Sequence, residues 1–102
     1  MTVFPQPVYK FTAQSAAYTA SPGDYVLATA AAAWNLTLPP VGTGGIVGVR
    51  KVDSAAFAVT VKSADGSTIN GVAGATGVAT GTTQGSGLVF ASDGSNWWQV
   101  GS

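Results

Sequence analysis

The sequence predicts an all-β domain: a small antiparallel β-sandwich or barrel-like fold built from hairpins, led by an extended N-terminal arm. Three observations carry that expectation. Short apolar runs with period-two alternation recur along the chain, separated by clusters of Gly, Pro, Asp and Asn. No helix of useful length is legible, because the alanine run Ala30–Ala33 is only four residues long and is flanked by turn and β-branched residues. The run Leu88–Ala91, the turn Asp93-Gly94-Ser95-Asn96 and the run Trp97–Val100 read as one closing hairpin, with Gly94 free to take positive φ.

The elements follow in order. Residues 1–17 read as an extended arm, since Pro5 and Pro7 block regular sheet pairing. Within it Tyr9 and Phe11 share one face of any strand they form. The arm lies either on a neighbouring molecule or as an edge strand on its own domain. Residues 18–102 form the β-rich module. Ser21-Pro22-Gly23-Asp24 is a turn, and Tyr25–Thr29 is a strand. Ala30–Ala33 is a tight connection or a single helical turn. Trp34, Leu36 and Leu38 alternate with Asn35 and Thr37, as in a strand facing a core.

Pro39-Pro40 ends that strand, and Gly42–Gly45 is a flexible loop. Ile46–Val52 is a strand with Val47, Val49 and Lys51 on one face and Ile46, Gly48, Arg50 and Val52 on the other. Phe57–Lys62 is the next, and Asp65-Gly66-Ser67 turns the chain into a short strand and turn at Ile69-Asn70-Gly71. Residues 71–87 are almost all Gly, Ala, Val, Thr and Ser. They read either as a surface loop or as a crossing where backbones approach closely.

Composition narrows the function. The chain has 102 residues, enough for one domain with a modest core. Charged residues are 8% of it and the formal net charge is zero, which leaves a lone monomer poorly protected from self-association. Much of the surface is therefore expected to be covered by other copies or by a partner. Four basic residues, only Arg50 and Lys51 adjacent, make no nucleic-acid footprint. The Tyr25–Leu38 stretch is too short and too polar to span a membrane, and the opening Met-Thr-Val-Phe-Pro shows no signal-peptide pattern.

No catalytic, cofactor or metal site is expected. There is no His and no Cys, so the usual triads and zinc sites lack their parts. Asp24, Asp53, Asp65 and Asp93 each sit beside a predicted turn, where a carboxylate bonds nearby backbone N–H groups. Lys10, Lys51 and Lys62 supply half of a Ser–Lys pair, but no spacing supports one. The glycines lack the Gly-Lys-Ser/Thr ending of a phosphate loop.

Three elements together carry a resemblance. They are Leu36-Thr37-Leu38-Pro39-Pro40; Val49-Arg50-Lys51-Val52-Asp53 leading to Ala58-Val59-Thr60-Val61; and Asp65-Gly66-Ser67-Thr68-Ile69-Asn70-Gly71 followed by Ser92-Asp93-Gly94-Ser95-Asn96-Trp97. In that order they resemble a small β-rich module of tailed-bacteriophage virion proteins, of the capsid decoration, head-fibre and tail-fibre type. The resemblance covers residues 18–100. It implies a structural protein of the virion exterior, made in the host cytoplasm, that acts as a homotrimer or another symmetric oligomer.

The module stands nearly alone here, without fibre repeats. That suits a decoration protein that binds the assembled major capsid protein shell and stabilises it. The alternative is a tail-tip or fibre module that binds host surface glycan. The candidate interface is Phe4, Pro5, Pro7, Tyr9, Phe11, Trp97 and Trp98. The resemblance puts the core tryptophan at Trp97, whereas alternation alone groups Trp98 with Val100.

Overall fold

The computed structural model describes residues 9–29, 32–43 and 45–102. Its strands are β1 (Lys10–Gln14), β2 (Tyr18–Thr19), β3 (Asp24–Ala28), β4 (Trp34–Leu38), β5 (Ile46–Lys51), β6 (Val59–Ser63), β7 (Val78–Ala79), β8 (Gly87–Ser92) and β9 (Trp97–Gly101). They form a five-stranded sheet, in the order β1-β3-β5-β8-β9, and a four-stranded sheet, in the order β2-β4-β6-β7. The all-β class is as expected.

The pairing differs from a stack of hairpins. β1–β3, β3–β5, β2–β4 and β4–β6 are parallel, and only β5–β8, β8–β9 and β6–β7 are antiparallel. The cause is the path of the chain. From β1 to β6 each successive strand joins the other sheet. The chain therefore returns to a sheet in its original direction, and neighbours run parallel. Only after β6 does it turn back within one sheet, and there the expected closing hairpin, β8–β9, is found.

Alternation decides what is buried. Val26 and Ala28 of β3, Val47 and Val49 of β5, and Leu88 and Phe90 of β8 point inward from the five-stranded sheet. Trp34, Leu36 and Leu38 of β4, with Val59 and Val61 of β6, point inward from the other. Phe57, Ile69 and Trp97 complete the core. Burial of these side chains, the Val, Leu, Ile and Phe among them each stabilising by about 1.5–3 kcal/mol relative to exposure, holds the two layers together.

The glycine-rich stretch is close-packed against the rest of its own chain. A Cβ at Gly74 would collide with Ser63 Oγ and the Ser67 carbonyl, and one at Gly77 with the Val61 carbonyl. Ile69-Asn70-Gly71-Val72 is a two-residue turn with Asn70 at φ 54° and Gly71 at φ 78°. Ile69 N donates to Val72 O at 2.9 Å and Val72 N to Ile69 O at 2.8 Å.

Candidate functional site

The candidate site is the outward face of the five-stranded sheet. Register fixes its membership. Phe11 pairs with Tyr25, Tyr25 with Gly48 and Gly48 with Val89, while Leu27 pairs with Arg50, and Ile46 with Ala91, which pairs with Trp98. These residues alternate with the buried ones, so all lie on the outside. The face is apolar and aromatic. Its only ionic side chain among the described residues is Arg50, whose Nε donates to Tyr25 Oη at 3.1 Å and whose Nη1 donates to the Gly85 carbonyl.

The rings are organised around Tyr25. It lies over Gly48, where an added Cβ would sit 2.6 Å from the ring. Tyr9 meets it edge-on at 5.1 Å between centroids, and Phe11 at 5.6 Å with a 50° tilt. Phe11 remains 66% exposed. At the far edge of the same sheet Trp98 is 44% exposed and Val100 is 60% exposed. Four strand spacings separate β1 from β9, about 19 Å. A single sugar ring cannot bridge the two aromatic groups, whereas a protein surface can.

The outer face of the four-stranded sheet is different. It carries Thr19, Asn35, Thr37, Thr60, Lys62 and Ala79, all wholly or partly exposed. A polar face of that kind is at ease in water. The contrast between the two faces is the main asymmetry of the molecule.

The adjacent tryptophans divide as the resemblance implied. Trp97 is 0% exposed and belongs to the core, so it cannot anchor a partner and leaves the candidate interface. Its burial follows from the Ser92–Trp97 pair, which turns both side chains inward. Tyr9, Phe11 and Trp98 stand on the outer face. Phe4, Pro5 and Pro7 lie outside the described residues. The sequence offered Tyr25 as an exposed ring only for the glycan alternative and missed Leu27 and Val89 as surface members; the alternation of Tyr25 and Leu27 with Val26 and Ala28 was the available signal.

The aspartates serve local structure. Asp24 Oδ2 accepts from Tyr18 Oη at 2.7 Å and from Ser21 N at 2.9 Å. That bond to the carboxylate is the chief reason the Tyr18 phenol is raised above its usual pKa, with burial and the negative charge adding to it. Asp65 accepts from Ser67 Oγ, Val41 N and Ser67 N. These bonds, the serine hydroxyl first, hold its carboxyl below the usual range. Asp93 is held low by the N–H groups of Asn96 and Ser95 and by the Trp98 indole. No group of three or more His, Cys, Asp or Glu able to hold a metal ion occurs among the described residues. None of their helices is long and apolar enough to cross a membrane.

No family model, curated protein or solved structure matches the chain.

Proposed function

We propose that the chain is a virion structural protein of a tailed bacteriophage, a capsid decoration protein that binds the assembled major capsid protein shell as a symmetric trimer. The observation that supports a docking role is the aromatic outer face of the five-stranded sheet. Three of its strands, β1, β3 and β5, run parallel, and parallel sheets rarely leave a face to water. The resemblance described above supplies the virion and the shell.

In this reading Phe11, Tyr25 and Trp98 meet an apolar, weakly charged surface of the shell protein. Aromatic anchors at the centre of such a contact carry most of its energy. Three copies on one trimer act together, so the assembly binds more tightly than any single contact. A trimer that binds only the assembled shell stabilises that state by mass action. The molecule works as a clamp, without chemistry.

The test is mass in solution by light scattering, followed by co-sedimentation with undecorated phage shells. A trimer, or two such trimers joined, that pellets with shells at fixed stoichiometry supports the reading. A monomer that ignores shells overturns it. Glycan-array binding lost on Trp98→Ala would then favour the tail-tip alternative.

A further inference from the structure

The sheet edges are not alike. β2 and β7, which end the four-stranded sheet, are two residues long each. β9 is capped along its free side. Trp97 N donates to Thr68 O at 2.9 Å, Asn70 N to Trp97 O at 3.0 Å, and Gln99 N to Asn70 Oδ1 at 2.7 Å.

β1 has five residues, and no such cap meets it among the described residues. Lys10 N donates to Gly23 O, and Gln14 O accepts from Thr29 N. The even-numbered residues therefore turn their backbone groups toward β3. In a ladder the odd ones turn theirs away. Tyr9, Phe11 and Ala13 thus present backbone donors and acceptors that meet no described residue. Such an edge is a template for another strand.

We propose that two copies of the chain pair through β1, antiparallel about a two-fold axis normal to the sheet, with the two Phe11 residues opposite each other. Tyr9 of each copy then faces Ala13 of the other, and the three pairs exchange six backbone hydrogen bonds. Charge favours this register. Lys10, the one charged residue of β1, falls opposite Thr12 of the other copy, so no like charges meet. Phe11 is 66% exposed, and each ring is covered by its twin.

The pairing also closes. Among the described residues β1 is the only long uncapped edge, so a second copy uses it up and no filament grows. The two aromatic outer faces become one continuous face across the axis. This inference stands apart from the shell-binding reading, since it concerns the purified chain alone.

The test compares the full chain with Phe11→Lys by sedimentation velocity, with far-UV circular dichroism as the check on folding. The substitution sets two lysines opposite each other at an exposed position. The expected result is a wild-type mass twice that of the variant, whatever the absolute number of copies. Equal masses overturn the pairing, whereas a ratio of two without a trimer refutes only the trimer.

A second measurement guards against misfolding. The chain has no cysteine, so Phe11→Cys introduces a single thiol. Directly opposed hydrogen-bonded residues lie about 5.5 Å apart at Cα, within disulfide reach. With oxidised glutathione, two protein thiols become one disulfide and the oxidant is reduced to two thiols. The covalent pair should form at least tenfold faster than for Ser95→Cys, in the exposed turn before β9. Equal rates overturn the proposal.

Discussion

The Trp98 indole is tied to Asp93: its Nε1 donates to Asp93 Oδ2 at 2.9 Å, while Asp93 Oδ1 accepts from Ser95 N and Asn96 N at 2.8 Å each. One carboxylate therefore closes the last turn and fixes the exposed ring beside it. A ring already held in place loses less entropy on docking. Trp98→Ala should leave urea stability within about 0.5 kcal/mol but, under the proposed docking role, weaken shell binding roughly tenfold or more. Unchanged binding would remove Trp98 from the docking face.

The neighbouring residue should behave in the opposite way. Trp97 is fully buried, and its Nε1 has no hydrogen-bond partner among the described residues. It is present for volume. Trp97→Ala should cost about 3–5 kcal/mol in urea denaturation. Trp97→Phe keeps most of the ring and removes an unsatisfied donor, so its cost should be clearly smaller.

The contrast between these two residues shows how far the sequence could be read. The hairpin, its turn and the alternation of β4, β5 and β8 were all legible, because each depends on neighbours a few residues away. Strand partners were not. Whether Tyr25 lies beside Phe11 or elsewhere depends on which sheet each strand joins, and period two records a strand's faces, not its neighbour. Residues 71–87 stayed ambiguous for a similar reason. Small residues look alike in a loop and in a crossing, and the collision at Gly74 becomes visible only with Ser63 and Ser67 in place.

Lys51 was legible as sharing a face with Val47 and Val49, and that face is the core. It is 0% exposed, donates to Asp53 Oδ1 at 2.6 Å and Asp53 O at 2.8 Å, and stands 4.1 Å from the centre of the Phe57 ring. Removing the partner leaves a buried charge with fewer contacts. Asp53→Ala should therefore cost about 1–3 kcal/mol, tempered by the surviving carbonyl bond. Lys51→Met removes the charge itself and should be neutral or stabilising. Thermal denaturation of the two variants decides the order.

Acid should weaken the fold through the turn aspartates. Asp65 and Asp93 are held below their usual pKa, so the unfolded chain takes up protons first. Their contribution is complete well above about pH 4 and is lost as pH falls through that value and on through the native pKa values. The Tm should drop between pH 5 and pH 3, and less steeply in Asp65→Asn. Tyr18 works at the other end. Its raised phenol pKa gives stability that is full below about pH 10 and lost above it as the native phenol ionises. An equal acid slope in Asp65→Asn would show that its turn bonds contribute nothing.

Gly48 is the position where one methyl group should separate fold from face. It sits in the middle of β5 with Tyr25 lying across it, and a Cβ there would come 2.6 and 2.7 Å from two ring carbons. The strand itself accepts alanine, since Gly48 does not have positive φ. The ring must give way instead. Moving it strains the bond from Arg50 Nε to Tyr25 Oη and loosens the packing with Tyr9 and Phe11. Overpacking of this kind costs about 1–3 kcal/mol. Gly48→Ala should fall in that range by urea denaturation, because the displaced ring lies on the surface and the core beneath β5 is untouched. Tyr25→Ala should restore room at Gly48, so the double variant should lose less than the sum of the two single costs. Strict additivity would mean that Tyr25 does not rest on Gly48.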